Sequence, residues 1–129
     1  MKNVKFYICP HCGNIIEMIH DAGVNPVCCG QKMDELVPGA VEASHEKHIP
    51  AVDVDGGILA VKVGSVEHPM AEEHWIEWVE LVSDKGIQRK YLKPGEAPKV
   101  RFLLNGEKPL AVYAYCNLHG LWKTDLNNA

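Results

Sequence analysis

The sequence predicts a mainly β protein in two unequal modules, a small cysteine-rich one followed by an antiparallel β sandwich. Three observations carry that prediction. Four of the five cysteines (Cys9, Cys12, Cys28 and Cys29) fall in the first 37 residues, and the cluster ends around Val37-Pro38-Gly39. Beyond that point, short runs of branched and aromatic residues alternate with turn signals, as in small sandwiches. Five of the seven histidines (His45, His48, His68, His74 and His119) and the remaining cysteine, Cys116, also lie in that second part.

The first module, residues 1–37, is too short to fold on apolar burial alone, because Val4, Phe6, Tyr7, Ile8, Ile15, Ile16 and Met18 make a thin core. It needs a metal, a partner or both. Cys9-Pro10-His11-Cys12-Gly13 reads as a knuckle: thiolates three residues apart reach one ion, and Gly13 permits the turn that aims backbone amides at sulfur. Cys28-Cys29-Gly30 supplies the second pair. With no residue between them, these two are expected to distort the tetrahedron. Zinc and iron both accept four thiolates, so spacing leaves the metal open. His11 and His20 are expected on the solvated surface.

In residues 38–129, Ile58 to Val63 follows an Asp55-Gly56-Gly57 turn and reads as a strand. Lys99 to Leu104 alternates, with Val100, Phe102 and Leu104 on one side before Asn105-Gly106. Glu72 to Val82 fits either a helix face or a strand buried on both sides. The Ser83-Asp84-Lys85-Gly86 turn and Ile87 to Leu92 favour a hairpin there. Leu110 to Cys116 is a further strand whose end delivers Cys116 into the turn Asn117-Leu118-His119-Gly120.

Composition narrows the function. With 47% apolar and 23% charged residues the chain is a folded globular one, and a net charge of -4 offers no polycationic surface for a nucleic-acid backbone. No apolar run approaches the roughly 18 to 20 residues that cross a bilayer, and the start does not read as a secretory leader. A cytoplasmic location is expected, where thiols stay reduced and clustered cysteines bind metal rather than pair as disulfides.

Cys116-x-x-His119 at a strand end can present sulfur and nitrogen to one ion, while Pro69 restrains the short loop between His68 and His74, and Pro50 follows His48 closely. A blue-copper site would want an axial methionine shortly after the histidine, and none of the four methionines (Met1, Met18, Met33, Met70) follows His119. Four imidazoles and one thiolate would instead make a five-coordinate iron with one position open.

Cys9-x-x-Cys12, Cys28-Cys29, Glu46-Lys47-His48-x-Pro50, His68-Pro69-Met70, His74-Trp75-Ile76 and Cys116-Asn117-x-His119-Gly120-x-Trp122 together resemble the desulfoferrodoxins, two-iron superoxide reductases. The resemblance covers essentially the whole chain. It implies a desulforedoxin-like module with iron on Cys9, Cys12, Cys28 and Cys29, then an immunoglobulin-like sandwich with a second iron on His48, His68, His74, His119 and Cys116. It also implies catalytic roles for the pair Glu46 and Lys47, with Glu46 taking the open position on the ferric metal. Because the chain is acidic overall, attraction for superoxide must be local, and Lys47 is expected to steer the anion and hold a protonating water. His45, close to His48, lies outside the pattern. For the four-cysteine iron, electron relay and fold stabilisation with support of a homodimer both stay open, with the structural role favoured. Reducing equivalents are expected from a small rubredoxin-like donor. The rivals are a zinc-ribbon adaptor with incidental histidines and an outer-sphere electron carrier.

Overall fold

The computed structural model describes residues 4–126. Its contacts divide the chain into two compact units, Met1–Val37 and Pro38–Ala129.

The first unit has a three-stranded antiparallel sheet of β1 (Lys5–Ile8), β2 (Ile15–Met18) and β5 (Asp34–Leu36) in the order β2-β1-β5. A two-stranded ribbon of β3 (Val27–Cys28) and β4 (Gln31–Lys32) completes it. Its core is small: Tyr7, Cys9 and Met33 are buried, with Met18 and Cys28 packed against them. One cysteine is therefore part of the core and a second packs against it. Of the apolar residues expected there, Ile16 is exposed, while Met33 was not among them.

The second unit opens with a single helical turn, α1 (His45–His48), and its other elements among the described residues are strands. One sheet has the order β10-β7-β6, from β6 (Pro50–Asp55), β7 (Ile58–Val63) and β10 (Lys99–Leu103). The other has the order β12-β11-β8-β9, from β8 (Ile76–Ser83), β9 (Ile87–Tyr91), β11 (Pro109–Cys116) and β12 (Gly120–Asp125). Every pairing is antiparallel. Strand period decides which side chains meet: Leu59, Val61 and Val63 from one sheet join Val79, Leu81, Val112 and Ala114 from the other, together with Val100 and Phe102, in one core. The ambiguous stretch is a strand from Ile76 onward, paired with β9 as a hairpin, and the residues before it form a loop. No described helix is long and apolar enough to cross a membrane.

This register gathers five strand ends. Pro50 at the start of β6 lies opposite Val63 at the end of β7, and Cys116 at the end of β11 lies opposite both Ile76 at the start of β8 and Gly120 at the start of β12. The segments that continue from these ends carry the histidines. Tyr115 pairs with Trp78 but Cys116 with Ile76, so a bulge leaves Glu77 unmatched and re-aims the strand just where Cys116 sits.

Candidate metal centres

In the first unit one sulfur from each of Cys9, Cys12, Cys28 and Cys29 lies within 4.8 Å of the others, and all four are free thiols. Metal–sulfur bonds of about 2.3 Å in a tetrahedron set sulfurs about 3.8 Å apart. The Cys12–Cys28 and Cys28–Cys29 separations are 3.7 and 4.0 Å. These two edges stay near the regular value despite the adjacent cysteines. The backbone absorbs the crowding instead: Cys29 adopts a left-handed φ of 53°, which costs a non-glycine residue about 1–2 kcal/mol, before Gly30 at 72°. The Cys12 backbone N–H donates to Cys9 Sγ at 3.4 Å across the turn that Gly13 makes at φ 84°. That bond above all lowers the Cys9 thiol to about 6, whereas its neighbours, Cys12 first, push Cys29 up to about 12. Four thiolates this close need a cation among them. His11 and His20 are exposed.

In the second unit, His48, His68, His74 and Cys116 each bring a donor atom within 4.8 Å of the others. His119 joins them, its Nδ1 being 3.1 Å from His48 Nε2 and 4.0 Å from Cys116 Sγ. The four rings stand at the corners of a square: His48–His68, His68–His74, His74–His119 and His119–His48 centroids are 4.6, 4.7, 5.0 and 4.9 Å apart, each pair edge-on. Across the diagonal, His48 and His74 lie 6.3 Å apart and nearly parallel, at 28°. His45 stands outside the square, edge-on to Trp122 at 5.5 Å.

Backbone carbonyls set the tautomers. His48 Nδ1 meets the Ser44 carbonyl at 2.6 Å and His68 Nδ1 meets the Pro69 carbonyl at 2.6 Å, so each places its proton there and leaves the Nε2 lone pair facing inward. Those two Nε2 atoms are 3.1 Å apart. With no proton between them they would repel. Metal–nitrogen bonds of about 2.1 Å at right angles place neighbouring nitrogens about 3.0 Å apart, so an ion satisfies both at this spacing. His74 Nε2, buried and without a hydrogen-bond partner, is a third such lone pair. Burial pushes His68 down to about 4 and lowers His48 and His74 also, holding the imidazoles neutral and ready to ligate. Burial raises the Cys116 thiol, against the backbone N–H groups of His119 and Leu118; a bound cation would deprotonate it. The donor set fits a metal ion with four nitrogens around it and sulfur on one side.

The supports of this square were not visible as such in the sequence. Trp122 lies against the His48 ring at 4.9 Å and its Nε1 donates to the His119 carbonyl at 3.0 Å. Gly64 lies under α1, where a Cβ would come within 2.5 Å of the Glu46 carbonyl oxygen and 2.9 Å of the Ile49 carbonyl oxygen. The Glu46 carbonyl also accepts from Val66 N at 2.9 Å and Ser65 Oγ at 3.3 Å, which seats the turn carrying His48. A lone glycine among many gives no hint of such an approach. Glu46 and Lys47 are exposed on α1. Lys47 is near enough for its charge to contribute to lowering His48 and His74, after burial and the neighbouring imidazoles.

Comparison with known proteins agrees with both donor sets. The profile of the desulfoferrodoxin family matches residues 40–125, and that of the desulfoferrodoxin N-terminal domain matches residues 2–36. The desulfoferrodoxin of Nitratidesulfovibrio vulgaris is 46% identical over 121 residues, spanning 94% of this chain and 95% of that one. The superoxide reductase of Pyrococcus horikoshii is 31% identical over 99 residues, spanning 63% of this chain and 86% of that one. The crystal structure of the superoxide reductase from Treponema pallidum superimposes with a TM-score of 0.80 at 40% identity, covering 96% of this chain and all of that one. With both halves matched and both donor sets in place, the chain belongs to the desulfoferrodoxin family.

Proposed function

We propose that this protein is a superoxide reductase, reducing superoxide to hydrogen peroxide with one electron and two protons. The observation that carries this reading is the square of inward-facing imidazole lone pairs capped on one side by a buried cysteine. Iron held by His48, His68, His74, His119 and Cys116 would supply the electron and a place for an anion to bind. Cys9, Cys12, Cys28 and Cys29, the four-thiolate set described above, would hold a second iron.

The chain's own residues do the rest. Ser44 and Pro69 carbonyls keep His48 and His68 in the tautomer that offers Nε2, so the site need not reorganise as charge develops. Lys47, exposed beside ligand His48, supplies the local cation that draws in superoxide on a chain of net charge -4, and it holds the water that protonates product. Glu46, its exposed neighbour, would offer its carboxylate as a further ligand to the oxidised metal. We assign the four-cysteine centre a structural role, since the core around it contains Cys9 and leans on Cys28. The donor is a small rubredoxin-like protein, the working form a homodimer, and the compartment the cytoplasm.

The test is rapid mixing of the ferrous protein with superoxide. Oxidation near the diffusion limit, with peroxide formed and no dioxygen released, is the expected result. Slow oxidation, or dioxygen alongside peroxide as a dismutase would give, defeats the proposal.

A further inference from the structure

We propose that Asn117 is a positioning residue that holds His74 on the iron by gripping the backbone on both sides of it; the inference rests on the iron site described above. The four imidazoles are not held alike. His48 and His68 each anchor their outer ring nitrogen on a carbonyl at 2.6 Å. His119 sits in a turn whose carbonyl receives Trp122 Nε1 at 3.0 Å. Among the described residues the His74 ring makes no hydrogen bond, its buried Nε2 has no partner, and the ring is only half-buried. Its orientation must come from the main chain.

That main chain is fixed from across the site. Asn117 Oδ1 accepts from Trp75 N at 2.9 Å and Asn117 Nδ2 donates to the Glu73 carbonyl at 3.1 Å. The Asn117 backbone N–H adds a bond to the Trp75 carbonyl at 3.2 Å. One short amide thus meets the residue before His74 as a donor and the residue after it as an acceptor. Asn117 is also the residue next to Cys116 and two before His119. It therefore ties the turn bearing Cys116 and His119 to the segment bearing His74, the neighbouring corner of the square, where Ala71 and His74 exchange backbone bonds of 3.0 and 3.1 Å. A carboxamide is suited to this: an aspartate at the position would lack the donor, and alanine would lack both groups. Partners beyond the ligands commonly act on the ligand ring; here the grip is on the ligand's peptide groups, and the consequence for the metal is the same.

The experiment measures loss of iron from the ferrous full-length protein to excess bipyridyl, with the four-cysteine iron of the same molecule as internal reference. Asn117→Ala should speed release from the histidine site about 10–100-fold and broaden the ferric paramagnetic resonance signal of that site, with the four-cysteine spectrum unchanged. Asn117→Asp, which keeps the acceptor for Trp75 N–H and would still report should the alanine variant fail to fold, should fall between alanine and wild type. Wild-type release and signal in Asn117→Ala, or in Asn117→Asp if only that variant folds, would overturn the inference, as would equal acceleration at both irons. Superoxide takes no part in this measurement, so a wild-type chain that keeps its iron yet fails to reduce superoxide defeats the functional reading alone.

Discussion

The two donor clusters make opposite use of the chain that bears them. The four-cysteine cluster draws its ligands from two short stretches, each adjacent to short strands, and two of its sulfurs are exposed while one is part of the buried core. The histidine cluster draws on α1, two loops, a strand end and a turn, spread from His48 to His119, and rests on a core that contains Leu59, Val79 and Val112, each fully buried. On the structural role proposed above, a metal would complete the fold of the first unit, whereas in the second the fold prepares the metal site. Local spacing builds the first kind of site cheaply, whereas the second needs a sandwich to bring distant segments to one end.

The comparison breaks first at the ligands. Cys116→Ser should abolish superoxide reduction and the thiolate-to-iron absorption of the histidine site while the four-cysteine spectrum stays; loss of both bands would show that the sites are not independent. Removing metal from the whole protein separates the units next. Structural zinc contributes about 10–16 kcal/mol to the folding of zinc-finger peptides, and the thin core of residues 1–37 points to a comparable dependence on its metal. The first unit should lose amide chemical-shift dispersion and become open to proteolysis, while the sandwich retains its dispersion. A folded metal-free first unit would make its metal an addition to the structure rather than a condition of it.

The same contrast explains what was legible beforehand. Cys9-x-x-Cys12 and Cys28-Cys29 declare a metal because ligand spacing is local, and strands such as Ile58–Val63 appear where read, since alternation and turn residues are local too. Cys116-x-x-His119 hints at a shared ion, but the choice of His48, His68, His74 and His119 rather than His45 needs the resemblance to a family, because strand register, which decides it, leaves no local mark. The supports were less legible still: the Ser44 and Pro69 carbonyls are main-chain atoms that every residue has, and the Gly64 approach depends on where α1 lands. Expected distortion of the four-sulfur site failed to appear in two sulfur–sulfur edges because Cys29 could turn left-handed.

Gly64 sharpens the claim that the sandwich prepares its site. Alanine there meets main-chain oxygens at 2.5 and 2.9 Å rather than flexible side-chain ends, so α1 must shift. Gly64→Ala should cost about 1–3 kcal/mol in chemical unfolding of the sandwich and alter the paramagnetic signal of the histidine site. Gly57→Ala, where an added Cβ meets nothing within 4 Å, is the control and should stay within about 0.5 kcal/mol of wild type. Equal effects of the two would remove the argument for a tight seat beneath His48. At Lys47 the salt dependence isolates the cost in encounter: Lys47→Ala should slow the reaction with superoxide about tenfold at low salt and flatten its salt dependence, leaving the ferric spectrum as it was. An unchanged salt dependence would take the steering role from Lys47.

The smallest effect is expected in acid, and it tells the two units apart without iron. His68 falls to about 4 in the folded chain through burial, and burial lowers His48 and His74 too, whereas an imidazole in the unfolded chain titrates near its ordinary value of 6.5. The unfolded chain therefore binds protons more readily than the folded one between those values. Stability from keeping His68 neutral is complete above about pH 6.5 and is lost as pH falls toward 4. All three tryptophans (Trp75, Trp78 and Trp122) lie in the sandwich, so their fluorescence follows its unfolding alone. The denaturant midpoint of the metal-free protein should hold above neutrality and decline through that window, and His68→Gln, which removes the titrating ring, should make the decline shallower. A midpoint flat from pH 7 to 4, or a decline of equal slope in His68→Gln, would mean that this buried imidazole is not held neutral by the fold, and that the sandwich prepares its nitrogen donors less fully than their geometry indicates.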